Sequence, residues 1–201
     1  VIYLHPGYED GAEQRSVFTR EWGDNTDDWN AHNSPSRVAR SWGEHAQLRQ
    51  ALDYASVEYN HTTWERVNNT PPQHVGGALW HSFDHQRGYH PDPFYGGICD
   101  IYRLPKYSYE LFSSQRDISE LKEPMVFIAN EMSPFSDAEV HVFTNCEAVR
   151  LIVLEKDTMY QQASDAEMKI PHPVLTFENA YNFKKVKNLT RKNKHSLASI
   201  I

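Results

Sequence analysis

The chain has 201 residues, 39% hydrophobic, 12% aromatic and 23% charged, with a formal net charge of −7. That apolar content supports a packed core and excludes a wholly disordered chain, while the longest apolar runs are too short for a membrane helix. The negative balance argues against nucleic acid as a partner, and no charged-then-apolar leader stands at Val1.

In chain order, Ser16 to Trp22 (SVFTREW) reads as a short buried strand, and Asp24 to Arg37 as a long polar loop. Arg37 to Tyr54 has helical spacing, with Val38, Trp42, Leu48, Ala51 and Leu52 as its apolar face and Ser36 placed to cap it. Val75 to Phe83 (VGGALWHSF) is a second buried strand, followed by a long loop from Asp84 to Gly97. Tyr107 to Gln115 is a short helix beginning after Pro105. Strand, loop, helix, strand, loop, helix is the rhythm of a βα barrel or a doubly wound sheet.

Composition changes near residue 115. Residues 1–115 hold all five Trp, eight of eleven His and one of nine Lys, with 15 acids against 9 bases. Residues 116–201 hold no Trp and eight Lys, with 12 acids against 11 bases. Such a contrast predicts two modules, and Asp117 to Pro124 (DISELKEP) is the expected linker. Beyond it, Met125 to Ala129, Glu139 to Thr144 and Ala148 to Leu154 read as strands, and their spacing suggests a sandwich. The basic tail, Lys184 to Lys194, reads as a solvated surface or frayed end.

Both strands of the first part end in residues that carry chemistry. The first ends in Arg20-Glu21-Trp22, where an arginine beside a carboxylate keeps it ionised, as a nucleophile requires. The second ends in Trp80-His81-Ser82-Phe83-Asp84-His85-Gln86. A large flat ring among hydrogen-bonding groups suits a sugar, whose apolar face stacks while its hydroxyls need partners. Other readings stand beside these: Glu21 as the structural partner of Arg20 or Arg37, Trp80 as core, and His81, His85 and His90 as zinc ligands. No HExxH or CxxC pattern supports the metal. Asp27-Asp28 reads as a solvated loop pair and Asp92, between two prolines, as a turn former. Cys99 and Cys146 make neither a disulfide framework nor a zinc set. The sequons at Asn60, Asn68 and Asn188 are short patterns.

Together, FTREWGD (Phe18 to Asp24), LWHSFDHQ (Leu79 to Gln86) and GGICDIYRLPKYSYELF (Gly96 to Phe112) resemble glycoside hydrolase family 2, in its β-galactosidase-like Bacteroidetes form. The most specific element is the Gly-x-x-Asp-x-x-Arg-x-Pro-Lys-x-x-Tyr run, and the likeness covers about residues 15–115. It implies an α/β plus all-β fold: residues 1–115 as the C-terminal part of a (β/α)8 TIM barrel, 116–123 as linker, and 124–201 as an immunoglobulin-like β-sandwich. It implies Glu21 as nucleophile at the end of barrel strand seven, and Trp80 as the floor of the sugar subsite at the end of strand eight. Arg20, Trp22, His81, Asp84 and His85 are then candidate sugar contacts, and His32, Asn33, Tyr89 and His90 candidate shapers of the entrance. Trp22 departs from the residue usual after the nucleophile and leaves the sugar open.

The same resemblance implies a retaining exo-glycosidase of β-galactosidase type, in the periplasm or secreted, with no organic cofactor and an oligosaccharide or polysaccharide-derived substrate. It leaves a homo-oligomer open. A (β/α)8 barrel takes about 250 residues, so residues 1–115 hold only part of one. The family's acid/base is a Glu after an Asn. The only Asn-Glu here is Asn130-Glu131, in the expected sandwich, so the acid/base is expected upstream of Val1, with an N-terminal sugar-binding domain. The segment alone is then expected to be unstable or inactive. The alternatives are a non-catalytic carbohydrate-binding or scaffold fragment and a metal-dependent hydrolase using the His-rich loop.

Overall fold

The computed structural model describes residues 16–23, 34–55, 74–88, 90–153, 157–165, 170–193 and 198–200. The chain divides into two compact units, Val1–Tyr109 and Glu110–Ile201.

In the first unit, β1 (Val17–Trp22) pairs in parallel with β2 (His74–Leu79), and helix α1 (Glu44–Ala55) lies between them in sequence. Parallel neighbours need a crossover connection, which makes this a β–α–β unit. The register sets Phe18 opposite Gly76, Thr19 opposite Gly77 and Trp22 opposite Leu79. Phe18 lies over the bare backbone of Gly76, its ring 3.5 Å from where a Cβ would stand. The chain leaves β1 through Gly23, at φ +103°, where a side chain would collide with Leu79 and crowd Tyr54. Among the described residues this sheet has two strands, and Phe18 and Val75 are more than half exposed.

Helix α1 begins later than its periodicity predicts. Arg40–Trp42 forms a 3-10 turn and the α-helix starts at Glu44, after Gly43. The N-cap position of the 3-10 turn falls to Ala39 rather than Ser36, whose hydroxyl pairs with that of Ser34 at 2.9 Å, in a buried turn. Trp42 is half exposed, and Leu48 and Leu52 are only partly buried. The face turned inward carries Gln47, Gln50, Ala51 and Tyr54, which have helical spacing but mixed polarity. An apolar pattern could not reveal it, because two of its members are buried to hydrogen-bond backbone.

The second strand also ends sooner than expected, at Leu79, and Phe83 joins only an isolated bridge to Cys99. Helix α2 (Tyr107–Ser114) follows where Pro105 predicts it.

In the second unit, the expected linker contains a helical turn, α3 (Ile118–Leu121), capped by Asp117, whose carboxylate accepts from Ser119 N at 2.7 Å. Two antiparallel sheets follow. One runs β3 (Val126–Ala129), β4 (Val140–Thr144), β7 (Leu175–Phe177); the other runs β6 (Asp157–Gln162), β5 (Ala148–Val153), β8 (Ala198–Ile200). Alternate residues of β5, namely Val149, Leu151 and Val153, are buried with Val140 and Val142 of β4 and Leu175 and Phe177 of β7 in one apolar core.

The basic tail is a helix, α4 (Phe183–Asn193), rather than a frayed end, and β8 follows it. Asn182 opens the helix by accepting from Lys185 N at 3.1 Å, while Val186 is buried in the core and Lys184, Lys185 and Lys187 face out. Among the described side chains of this helix, Val186 and the partly buried Phe183 are the ones packed on the core, too sparse a signal in a lysine-rich run to show an amphipathic helix by inspection. No described helix is long and apolar enough to cross a membrane.

His141 of β4 gives this unit a dependence on pH. Its Nδ1 lies 3.1 Å from Thr176 Oγ1 and its Nε2 2.9 Å from Glu139 Oε1. Burial pushes its pKa below the ordinary 6.5, against the opposing pull of Glu139. The unfolded chain therefore takes up a proton more readily than the native one. The stability contribution is present above pH 6.5 and is lost as pH falls through the lower native value. Urea unfolding of this unit should show a falling midpoint on the acid side of 6.5, and His141→Gln should flatten the fall.

Candidate active site

Catalytic groups of βα folds gather beyond the C-terminal ends of parallel strands. With Trp22 opposite Leu79, Glu21 stands one residue before that matched pair and Trp80 one residue after it, on neighbouring strands that end together. Arg20, Glu21 and Trp22 are described by their backbone alone. His32, Asn33 and Tyr89 lie outside the described residues.

After β2 the chain makes an ordered loop. Residues 81–84 pair with 96–99: His81 N donates to Gly96 O at 3.5 Å, Ile98 N to His81 O at 3.1 Å, Cys99 N to Ser82 O at 2.9 Å and Asp84 N to Cys99 O at 3.0 Å. His85 and Phe94 exchange both backbone bonds. The peptide between Trp80 and His81 is cis.

This ladder gathers four rings. Trp80 lies 4.8 Å from His81 and 6.1 Å from His85, centroid to centroid, and His81 lies 4.6 Å from His85. Phe94 closes the group at 4.8 Å from His81 and 5.5 Å from His85. Phe94 is buried, whereas Trp80, His81 and His85 are partly open. The guanidinium carbons of Arg87 and Arg37 stand 3.9 and 4.7 Å from the Phe94 centroid, within cation–π range. The partly open indole of Trp80 and imidazole of His85 offer a stacking face and hydrogen-bonding nitrogens, while both ring nitrogens of His81 are buried beneath them.

A candidate sugar contact, Asp84, and a candidate entrance residue, His90, are engaged within the loop itself. Asp84 is buried: its Oδ1 accepts from Lys106 Nζ at 2.7 Å and from Gly97 N at 2.9 Å. Burial raises its pKa against the pull of Lys106, and burial lowers that of Lys106 against the pull of Asp84. Both donors on Asp84 thus belong to the loop's own framework. His90 is turned back on its turn, with Nδ1 accepting from Asp92 N at 3.2 Å and its carbonyl from Gln86 Nε2 at 2.8 Å. Asp92 sits in a bend between its flanking prolines.

Among the described residues no three His, Cys, Asp or Glu side chains converge as metal ligands would. Asn130 of the second unit braces its own turn, with Nδ2 donating to Asp137 O at 3.2 Å and Oδ1 accepting from Met132 N at 2.8 Å.

Inspection of the sequence missed Phe94, Arg37, Arg87, Gln50 and Lys106. A signal existed for Lys106, the one lysine in the first 115 residues, inside the most specific motif.

No protein-family model matches the chain. A β-galactosidase of Thermoanaerobacter pseudethanolicus is 34% identical over 115 residues, which is 53% of this chain and 15% of that protein. A β-galactosidase of Thermoanaerobacterium thermosulfurigenes is 32% identical over 117 residues, 52% of this chain and 16% of that protein. The chain thus spans about one-sixth of the length of these relatives. A Bacteroides uniformis β-glucuronidase matches in structure with a TM-score of 0.50 and 17% identity, covering 80% of this chain and 18% of the other. A β-glucuronidase from glycoside hydrolase family 2 matches with a TM-score of 0.50 and 20% identity over 88% of this chain and 18% of the other. At these identities the structural likeness is one of fold.

Proposed function

We propose that the chain belongs to glycoside hydrolase family 2 and forms the end of the catalytic barrel and the following immunoglobulin-like sandwich of a retaining exo-glycosidase of β-galactosidase type. The observation that carries this reading is the backbone register that ends β1 and β2 together, with Glu21 and Trp80 on either side of the last matched pair. Both sequence relatives are β-galactosidases, which favours that substrate class.

In this reading Glu21 attacks the anomeric carbon of a sugar stacked on Trp80 and forms a glycosyl-enzyme, which water releases. Retaining enzymes hold the second carboxyl about 5–5.5 Å from the nucleophile. That acid/base and the remaining barrel strands come from elsewhere in the full-length protein. Among the described residues the sheet has two strands and leaves Phe18 and Val75 exposed, which supports this, since a barrel strand is normally flanked on both edges and covered on both faces.

The test is hydrolysis of a nitrophenyl β-galactoside by the full-length protein, with the 201-residue segment inactive beside it. Sugar binding without hydrolysis in the full-length protein would point to a non-catalytic carbohydrate module. Trp80→Ala should lower kcat/KM by roughly 10- to 100-fold, mainly through KM, because it removes the stacking face without touching the nucleophile. An unchanged KM would remove Trp80 from the subsite.

A further inference from the structure

We propose that the buried Lys106–Asp84 pair is a positioning device that fixes the ring shelf of Trp80, His81 and His85 in the orientation the sugar meets. The proposal rests on reading Trp80 as the sugar platform.

Lys106 is completely buried, and its ammonium group has three protons and three acceptors: Val38 O at 2.5 Å, Asp84 Oδ1 at 2.7 Å and Tyr95 O at 3.0 Å. Each acceptor belongs to a different stretch. Val38 precedes α1, Asp84 follows β2, and Tyr95 lies on the returning arm of the loop. The backbone of Lys106 adds a bond, its N donating to Ile98 O at 3.0 Å. Asp84 in turn holds Gly97 N at 2.9 Å, and Gln50 of α1 donates to Gly97 O at 3.3 Å and to Ser36 O at 2.8 Å. Ser108 orients that amide by donating to Gln50 Oε1 at 2.8 Å. One knot therefore ties the helix, the segment before it and both arms of the loop.

The connection to the shelf is short and covalent or hydrogen-bonded throughout. Asp84 is four residues from Trp80, and the ladder between 81–84 and 96–99 starts at the residue after the indole. Removing two charges from water is expensive, and an apolar pair of the same volume often holds a fold equally well. An ion pair with every proton placed specifies geometry in a way apolar packing does not. The open rings beside it are where that geometry is used.

The experiment compares Lys106→Met, Asp84→Asn and the double variant in the full-length protein, all below their melting temperatures. Two readouts are taken. The first is kcat and KM on the aryl β-galactoside. The second is acrylamide quenching assigned to Trp80, as the difference between each variant and the same variant carrying Trp80→Phe. A positioning role predicts that Lys106→Met lowers kcat/KM by roughly 100-fold, with KM carrying most of the change, and that Trp80 quenching rises. It also predicts that the double variant recovers about tenfold of the loss, because no charge is left unpaired.

Folded variants with unchanged KM and unchanged Trp80 quenching would overturn the proposal. A wild-type protein without glycosidase activity, whose Trp80 quenching still rises in Lys106→Met, would keep the positioning role and remove the glycosidase reading. Should the variants fail to fold, hydrogen exchange of the wild type decides. The Gly97 amide should exchange as slowly as the amides of α1, and a Gly97 amide exchanging fast beside a protected α1 would refute the knot.

Discussion

Glu21→Gln in the full-length protein should abolish turnover, with a loss of roughly 10⁴- to 10⁶-fold in kcat, and leave the melting temperature within a degree or two. Glutamine keeps the size and backbone habit of the residue but cannot form the glycosyl ester on which a retaining route depends. Glu21 occupies the last turn-free stretch of β1, one residue from its end, where the sheet register is already set by Phe18, Thr19 and Trp22. Steady-state assay with a nitrophenyl β-galactoside, with thermal unfolding run in parallel, reads both effects. Turnover surviving at more than about a hundredth of wild type would remove Glu21 from the nucleophile's role.

Gly97→Ala should act in the opposite way, by breaking structure. A Cβ at Gly97 would stand 2.5 Å from the Phe83 carbonyl carbon and 2.6 Å from Cys99 O, and would also collide with Asp84 N. All three are backbone atoms of the ladder that leads from Trp80, so no side chain can swing aside. The ladder must open, and with it go the Gly97 bonds to Asp84 and Gln50. We expect a loss of at least about 3 kcal/mol, near the upper end of overpacking effects, measured by urea unfolding. Gly88→Ala is the control: nothing lies within 4 Å of its Cβ position, so only its positive φ opposes the change.

The parts of this molecule that follow a simple period were legible. β1, β3, β4 and β5 are short runs of β-branched and apolar residues, and α2 follows a proline. β6 (DTMYQQ) was not, because it is polar and largely exposed along most of its length. The inward face of α1 was misread because Gln47 and Gln50 are buried for their hydrogen bonds, which no hydropathy pattern registers. At the site, Trp80, His81 and His85 are close in sequence, and the structure brings their rings together. Phe94 meets them only through its backbone bridge to His85, and Lys106 reaches Asp84 beside them from 22 residues away, tertiary facts with no local signature. Asp84 looked like a ligand contact because an acid beside aromatics suggests a sugar site. Its partner stands 22 residues away, and only folding shows that its carboxylate is engaged.

The seclusion of Lys106 has a practical corollary. Within residues 1–115 it is the sole lysine, and it is wholly inaccessible. Succinimidyl esters and other amine-directed labels would therefore decorate lysines of the later residues and spare those of the earlier stretch. A dye or surface tether attached through these side chains would sit on the second unit, leaving the ring shelf unmodified.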